Sequence, residues 1–294
     1  MRSYGIKNKT FDIINYFLLC LFVVICIYPF YYVFIYSISN PQTVVRGIFL
    51  LPSGINLDTY RTVLGLKNIL NSFFISLART VIGTAITILC CSLFAYLLTK
   101  EKMLFRKIVY RLLVVTMYIN AGLIPWYITM KMLHLDNNFL LYVLPTAVSG
   151  FYVILMKTYL EQLPASLEES AMIDGAGYLR IFWSVIFPLC KPILATIAVF
   201  SAVGQWNTWM DNYFLVYNEH LKTMQLTLYE YLSSANAFAT MSAADITRNA
   251  KAVRITPEAI KMCTTMIVTF PILLVYPLLQ RYFVKGIMLG AIKG

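Results

Sequence analysis

Charged side chains are scarce in this sequence, and their scarcity excludes a common class of protein. Asp, Glu, Lys and Arg together make up 13% of the 294 residues, whereas hydrophobic residues make up 60%. The mean hydropathy is +0.71. In an ordinary soluble domain about a quarter of the residues are charged, so this composition indicates a membrane protein instead.

Residue types that build metal sites, disulfide frameworks and catalytic centres are also few. The two histidines, His134 and His220, are far apart and have no cysteine nearby, which argues against a metal site. All six cysteines fall inside apolar runs, where they are expected to be small buried hydrophobes. No G-x-x-x-x-G-K-[ST] phosphate loop occurs, nor H-E-x-x-H or G-x-S-x-G. The chain is therefore predicted to bind no ATP, metal or other cofactor, and not to be an enzyme.

Long apolar runs dominate what the sequence does contain. Six of them are near or above the ~20 residues that a helix needs to cross a bilayer, which predicts an all-α membrane protein with six transmembrane helices. The first run is longer than a signal-peptide core of about 7–15 residues, and no small-residue cleavage site follows it, so it is expected to be retained. Arg79 lies near the start of the second run, from which its long side chain is expected to snorkel to the interface. The runs are residues 11–37, 73–98, 112–130, 139–160, 192–215 and 262–284.

The net charge of +11 fits this topology better than it fits nucleic-acid binding. Lys and Arg are spread between the apolar runs instead of clustering on one stripe. Six spans put both termini on one side. That side, counted with residues 99–111 and with the 163–188 segment and its flanking Lys157 and Lys191, collects 14 of the 24 Lys and Arg residues, against 10 elsewhere. Because positively charged loops stay in the cytoplasm, both termini and the 163–188 segment are predicted to be cytoplasmic.

A polar, helix-forming segment at residues 163–188 separates the fourth and fifth runs. Ser166 followed three residues later by Glu169 has the pattern of a capping box, in which each residue bonds a backbone amide of the other. This pattern predicts a short helix over roughly residues 167–173. A helix of two turns is marginal alone in water, so its apolar side chains need something to pack on.

The second half of this segment is predicted to form another helix. Gly175 can adopt the left-handed conformation that closes the first helix. A further helical stretch is then expected over residues 178–187, ending at Pro188. The predicted result is a helix-turn-helix elbow with small residues at its bend, and residues 163–188 are called the elbow below.

The elbow resembles the EAA loop of ABC importer permeases. That loop reads E-A-A-x3-G-x9-I-x-L-P, and this sequence has E-S-A at residues 169–171, Gly175, and V-I-F-P at residues 185–188. The departures, Ser for the first Ala, Val for Ile and Phe for Leu, are all small or apolar. The wider string LPASLEESAMIDGAG is similar to the form found in the carbohydrate-uptake branch, and residues 256–294 resemble the C-terminal region of that branch.

The resemblance implies a type I ABC importer permease fold in which the elbow is the coupling helix that docks on a cytoplasmic ATPase subunit. An amphipathic connector lying on the membrane surface is the alternative for this segment. The implied ATPase-coupling residues are Leu167, Glu168, Glu169, Ser170, Ala171, Asp174, Gly175, Ala176 and Pro188.

The fifth run mixes aromatic, amide and acidic side chains over residues 205–211. Aromatic faces can stack on sugar rings, and amides and carboxylates can bond sugar hydroxyls, so this stretch is a candidate carbohydrate path. Permeases of the resembled branch often carry a Trp-Asn pair at this place. An interfacial aromatic belt with interhelical hydrogen bonds is the alternative, here and in the third run. The candidate substrate-path residues are Asn120, Gln205, Trp206, Asn207, Trp209 and Asp211.

These observations predict one membrane subunit of an ABC importer for a carbohydrate, most simply an oligosaccharide. The resemblance implies a second homologous permease, two ATP-binding subunits that carry ATP and magnesium, and an extracytoplasmic solute-binding protein, in the bacterial cytoplasmic membrane. An ABC permease for a non-sugar solute and an ion-coupled secondary carrier are the alternatives. Residues 1–70 are expected to hold the N-terminal cytoplasmic segment, the first span and an external loop, residues 71–284 the permease core, and residues 285–294 a cytoplasmic tail.

Overall fold

The computed structural model describes residues 9–44, 50–65, 68–239 and 256–291. Within those ranges the regular elements are helices, apart from an isolated antiparallel bridge between Ser39 and Ile55. The chain divides into two compact units. Unit 1 combines Met1–Leu66 with Glu230–Thr269, and unit 2 combines Lys67–Tyr229 with Phe270–Gly294. The boundaries predicted from the sequence at residues 70 and 284 stay a prediction.

The helices vary widely in length, and many are short segments joined by sharp turns. A π-helical turn spans Phe182–Ile186, and two 3-10 turns span Phe139–Tyr142 and Glu219–Leu221. The α-helices are α1 (Lys9–Ile38), α2 (Pro41–Val44), α3 (Asp58–Leu64), α4 (Ile69–Thr99), α5 (Arg106–Tyr118), α6 (Leu123–Met132), α7 (Gly150–Leu160), α8 (Ser166–Ile173), α9 (Tyr178–Ile181), α10 (Phe187–Leu189), α11 (Lys191–Asn207), α12 (Met210–Leu215), α13 (Met224–Ala239) and α14 (Pro257–Ala291).

Three of the six predicted spans are confirmed as single helices. The qualifying stretches are Phe11–Ile38 with 28 residues, Ile69–Thr99 with 31 residues and Glu258–Val275 with 18 residues. At 1.5 Å per residue, a helix as long as α4 exceeds the bilayer hydrocarbon core of about 30 Å. These three stretches are long and apolar enough to cross a membrane.

The other three predicted spans are interrupted. The third breaks between α5 and α6, where Gly122 has a φ of 83°, a conformation that glycine adopts without a steric penalty. The fourth is α-helical only in α7, and the fifth is interrupted at residues 208–209, between α11 and α12. Just before the fifth predicted span, the helical stretches Tyr178–Leu189 and Lys191–Asn207 meet at an angle of 81°, and if this bent pair is one span, the described residues contain four spans. The structure therefore does not confirm the predicted count of six.

Unit 1 is organised around α1, whose apolar side chains are mostly exposed in the isolated chain. The expectation that all six cysteines are buried is wrong for Cys20 and Cys26, because both lie on this exposed helix. Exposed apolar surface on this scale indicates contact with lipid or with another chain. At the start of α14, the amide of Ala259 donates to Thr256 Oγ1 at 3.2 Å, so the threonine side chain caps this helix.

Unit 2 is built around α4, which packs against α7 and α11. Its main apolar core includes Cys91, Tyr96, Met156, Phe182 and Ile197, each no more than 1% exposed. A second apolar cluster includes Tyr142 and Leu215. The length of α4 allows its C-terminal end to contact the elbow while its middle contacts a separate polar cluster.

Candidate functional site

The elbow begins with the predicted short helix, α8. Gly175 follows it with a φ of 80°, which confirms the predicted left-handed residue. The amide of Ala176 donates to the Ala171 carbonyl at 3.0 Å, and the amide of Gly175 donates to the Met172 carbonyl at 3.0 Å. These two bonds form a Schellman motif, which satisfies carbonyls that the helix end would otherwise leave unpaired.

The predicted capping box at the start of α8 is wrong. Ser166 is the first helical residue, and no side chain caps the helix. The reason is that the turn starts earlier: Ala165 has helical angles of φ −59° and ψ −31°, and the amide of Leu167 donates to the Pro164 carbonyl at 3.2 Å. Proline has no amide to satisfy and its φ suits a first turn, so the chain enters the helix before Ser166 can act as a cap.

The second half of the elbow continues past the predicted end at Pro188. It runs through α9, the π-turn and α10, and it breaks at Cys190 before α11. Pro188 cannot donate to the carbonyl four residues before it, and that carbonyl belongs to Ser184 in the π-turn. A π-turn already departs from the i to i−4 bonding pattern, so the proline is tolerated within the helix and the bend falls two residues later.

The elbow is attached to the C-terminal end of α4 by a partly buried ion pair. Lys100 bonds Glu168 of α8, and their side chains are 14% and 22% exposed. Lys100 Nζ also lies 4.0 Å from the centre of the Tyr96 ring, and that ring lies 5.3 Å from the ring of Phe182. Both halves of the elbow therefore contact the C-terminal end of α4.

Glu168→Gln is expected to lower the stability of the elbow by about 1–2 kcal/mol, because Lys100 keeps its charge in a partly buried place without its carboxylate partner. Hydrogen exchange of the α8 amides, measured in detergent, should become faster. Glu169→Gln is the matched control, since Glu169 is exposed and its neighbour carries the ion pair. Equal exchange in the two variants would contradict a structural role for the pair.

The outer face of the elbow presents apolar side chains without cover. Ile173 is 86% exposed and Leu179 is 65% exposed. Of the predicted coupling residues, Leu167, Glu169, Ser170, Asp174, Gly175 and Pro188 are exposed, and Glu168, Ala171 and Ala176 are half-buried. The elbow thus combines a folded, anchored inner side with an outer side on which a partner protein can dock.

A charged pair lies buried where α4 approaches α11 and α12. Arg79 donates to the Asp211 carboxylate from Nη2 at 2.6 Å and from Nη1 at 3.1 Å. Nη1 also donates to the Thr208 carbonyl at 3.1 Å, and Nε donates to Gln205 Oε1 at 3.0 Å. The guanidinium carbon lies 4.7 Å from the centre of the Tyr142 ring. These five residues are called the Arg79 cluster below.

The Arg79 cluster corrects one expectation from the sequence. The Arg79 side chain is only 1% exposed and that of Asp211 is 10% exposed, so Arg79 does not snorkel to the interface. It stays inside because Asp211, 132 residues away in sequence, offers a bidentate partner there. Intramembrane charges that pair in this way are neutralised without reaching water.

Gln205 links the Arg79 cluster to the loop before α7. Its Nε2 donates to Thr146 Oγ1 at 2.7 Å while its Oε1 accepts from Arg79. Gly83 of α4 makes room for this amide, since a Cβ at that position would lie 2.6 Å from Gln205 Nε2 and 2.8 Å from its Cδ. The glycine is therefore required by close packing and not by its backbone angles.

Gly83→Ala is expected to destabilise unit 2 by about 1–3 kcal/mol, because the added methyl forces the Gln205 amide out of its place. The thermal unfolding midpoint in detergent is the measurement. In the Gln205→Ala background the clash is gone. Gly83→Ala should therefore lower the unfolding midpoint much less in that background than in the wild type. If Gly83→Ala lowers the unfolding midpoint equally in both backgrounds, Gln205 is not the group that requires glycine at position 83.

The structure separates the predicted substrate-path residues in the 205–211 stretch. Trp206 is buried, whereas Asn207 is exposed and accepts a hydrogen bond from Gln225 at 3.1 Å. Trp209 stacks on Tyr229 with their ring centres 4.2 Å apart. Aromatic packing and interhelical bonds thus engage several of these side chains within the chain itself.

The remaining predicted residues fall into two groups. Gln205 and Asp211 come together in the Arg79 cluster. Asn120 lies in the break between α5 and α6, where its side chain is exposed and accepts from the amide of Gly122 at 2.9 Å. The assignment of these residues to a substrate path stays a prediction.

Sequence reasoning missed the pairing of Arg79 with Asp211, although a signal was present. Arg79 is the one charged residue in the run 73–98, and Asp211 is the one charged residue in the run 192–215. Two opposite charges, each isolated in an apolar helix, lower the free-energy cost of their burial by forming an ion pair. The contributions of Tyr142 and Thr146 had no comparable signal, because single hydroxyls in apolar runs are common.

Known proteins with similar sequences and structures cover almost the whole chain. No family model matches it. The polygalacturonan/rhamnogalacturonan transport system permease protein YtcP of Bacillus subtilis (strain 168) is 35% identical over 289 residues, with 98% of this chain and 100% of that protein covered. Protein LplC of the same organism is 34% identical over 289 residues, with 98% and 96% covered. The crystal structure of a bacterial ABC transporter involved in the import of the acidic polysaccharide alginate has a chain with a TM-score of 0.85 and 31% identity, covering 96% of this chain and 100% of that one.

The apolar helices and the matched relatives define the class of the molecule, a multi-pass membrane protein of transport systems. The chain belongs to the family of permease proteins of sugar ABC transport systems. This confirms the resemblance carried by the elbow. The relatives whose names state a role are transport components and not enzymes, which agrees with the expectation for this chain.

Proposed function

We propose that this chain is one of two membrane subunits of an ATP-driven oligosaccharide importer and forms half of its translocation path. The observation that supports this most strongly is the elbow, which is anchored to α4 by Lys100 and exposes Ile173 and Leu179 on its outer side. An exposed apolar surface on a folded helix is typical of a docking site. In a permease of this family, the partner on that surface is an ATPase subunit.

The proposed assembly also contains a second homologous permease, two ATP-binding subunits and an extracytoplasmic solute-binding protein. This chain would bind no cofactor, and ATP with magnesium would bind the ATPase subunits. Both termini and the elbow would face the cytoplasm. The relatives named for polygalacturonan, rhamnogalacturonan and alginate support a sugar polymer or its fragments as the cargo.

Two contacts of α4 suggest how movement of the ATPase subunits reaches the translocation path. ATP-driven closure of the ATPase pair would move α8, and the Lys100–Glu168 pair would transfer that movement to α4. About six helical turns earlier in α4, Arg79 holds Asp211 and the Thr208 carbonyl at the end of α11. The helix would thus couple the elbow to the 205–211 stretch.

The test is reconstitution of the complete transporter in proteoliposomes, with the partner subunits recovered by a mild-detergent pull-down. Uptake of labelled trigalacturonate, raffinose and maltotriose is measured with ATP and binding protein supplied, and separately with proton or sodium gradients. We expect ATP-dependent uptake of at least one sugar. Uptake that follows an ion gradient without ATP would favour a secondary carrier, and ATP-dependent uptake of a non-sugar solute alone would favour another cargo.

A further inference from the structure

The residues that join α4 to α5 form the most basic segment of the sequence. Five Lys and Arg residues fall within residues 100–111, against one acidic residue, Glu101, and this segment is called the basic turn below. Lys100 is bonded to Glu168 of the elbow. Three of the other four are exposed and form no ion pair within the residues that the structure describes: Lys102, Lys107 and Arg111.

The basic turn also holds two large apolar side chains in an outward position. Leu104 is 81% exposed and Phe105 is 72% exposed. Phe105 has a φ of 57°, in the left-handed region that bulky side chains rarely adopt. The turn is nevertheless ordered, because its Arg106 Nη1 donates to the Thr99 carbonyl at 3.2 Å. Apolar side chains that a folded turn holds outward indicate contact with lipid or with another chain.

The first turns of α5 continue this combination of charge and apolar surface. Lys107 and Arg111 are four residues apart, so they lie on the same side of the helix. Ile108 and Leu112 have the same spacing on the neighbouring stripe, and both are exposed. A basic stripe beside an apolar stripe suits a helix at a membrane surface, where lipid chains and charged head groups meet.

A surface pocket of about 370 Å³ lies on the basic turn. Two cations, Arg106 and Lys107, line it together with one carboxylate, so the lining carries a net positive charge. Guanidinium and ammonium ions are the groups with which proteins bind phosphate. The other lining residues are Glu101, Met103, Phe105 and Ile108. The pocket thus places phosphate-binding groups beside apolar side chains, the two chemistries that one phospholipid molecule combines.

We propose that the basic turn docks on the anionic phospholipid surface of the membrane. The helix α4 is long enough to span the bilayer and ends at Thr99, which puts the basic turn at the boundary between lipid and water. Leu104 and Phe105 enter the lipid chains there, and the exposed Lys and Arg side chains bind the phosphates. An anionic leaflet attracts each Lys or Arg near its surface, so the charges are complementary.

The docked lipid would also steady the attachment of the elbow. Lys100 belongs to the basic turn and holds Glu168 of α8, so lipid that fixes the turn fixes the end of α4 to which the elbow is bonded. This inference concerns the membrane around the protein and does not depend on what the protein carries.

Lipid retention tests the part played by the charges. The full chain is reconstituted in nanodiscs of phosphatidylcholine and phosphatidylglycerol and released into mild detergent, and native mass spectrometry counts the lipids that stay bound. Combining Lys102→Gln, Lys107→Gln and Arg111→Gln is expected to lower the ratio of phosphatidylglycerol to phosphatidylcholine roughly three- to tenfold. The matched control combines Arg61→Gln, Lys131→Gln and Lys191→Gln, which removes three exposed cations elsewhere, and it should keep the ratio of the wild type. Equal ratios in the two triple variants would overturn the proposal.

Tryptophan quenching tests whether the basic turn touches the bilayer in the assembled transporter. Leu104→Trp is compared with Ile173→Trp in proteoliposomes that contain brominated phosphatidylglycerol or brominated phosphatidylcholine, and the signal of the four native tryptophans is subtracted. Ile173 is as exposed as Leu104 but lies on the outer face of the elbow. The added fluorescence of Leu104→Trp should be quenched about twofold or more strongly by the brominated anionic lipid, and that of Ile173→Trp should be quenched little by either lipid.

Three outcomes of the quenching experiment would contradict the proposal. Absence of quenching in Leu104→Trp means that the basic turn does not reach the bilayer. Equal quenching by the two lipids means that it inserts without selecting anionic head groups. Quenching in the isolated chain that disappears on assembly means that a partner subunit covers the turn. None of these results depends on sugar uptake, so the proposed function is tested separately.

Discussion

Replacing Asp211 with alanine should destabilise the folded protein by about 3–5 kcal/mol, because it leaves the Arg79 guanidinium buried without its carboxylate. Arg79 is 1% exposed and donates twice to this partner. The free energy of unfolding is measured by titration with a denaturing detergent, followed by tryptophan fluorescence. Arg61→Ala is the control, since Arg61 pairs with Asp58 at 3.9 Å on an exposed surface and should change little.

A double variant distinguishes the loss of an ion pair from the simple loss of packing. Removing both charges, as in Arg79→Met with Asp211→Ala, leaves no isolated charge in the interior. We expect it to be more stable than Asp211→Ala alone, since apolar replacement of a buried pair is often nearly neutral. If the double variant is the less stable of the two, the role assigned to the pair is wrong.

Gly175→Val should uncouple ATP hydrolysis from transport while the protein still inserts and assembles. The φ of 80° at Gly175 is strained for a residue with a Cβ by roughly 1–2 kcal/mol. That strain opens the Schellman turn and shifts the exposed face of α8 relative to α9. Uptake of the transported sugar in proteoliposomes should fall roughly tenfold, while ATP hydrolysis continues.

The elbow supplies its own controls for this experiment. Gly177 has a φ of −73° and a Cβ there would meet no atom within 4 Å, so Gly177→Ala should transport normally. Gly175→Asn should retain more activity than Gly175→Val, because asparagine tolerates the left-handed region better. Full transport by Gly175→Val would remove the main argument that the elbow is the coupling element.

Local physics explains why so much of the elbow could be predicted from the sequence. The α8 helix and the left-handed Gly175 depend on residues within a few positions of one another. The same holds for α1 and α4, whose apolar runs are long enough to span a bilayer without help from the rest of the chain. The predicted capping box failed although it was local, because Pro164 offered an earlier start for the same helix.

The remaining features depend on residues that are distant in sequence. Lys100 and Glu168 are 68 residues apart, and Arg79 and Asp211 are 132 residues apart. The hydropathy of the third, fourth and fifth runs predicts continuous spans, but the break at Gly122 divides the third run and a break at residues 208–209 divides the fifth. Hydropathy reports an average over many residues, so it does not register a break made by one backbone conformation.

The sequence alone determined that this is a helical membrane protein of the ABC permease family with a helix-turn-helix elbow, because composition, helix length and a short motif are local properties. The tertiary structure decided which polar side chains are engaged in hydrogen bonds and ion pairs within the chain. Gln205 and Asp211 were both candidate sugar contacts by residue type, yet both are held by Arg79. The Lys100–Glu168 and Arg79–Asp211 pairs likewise arise only in the fold, since packing alone brings together residues that are far apart in sequence.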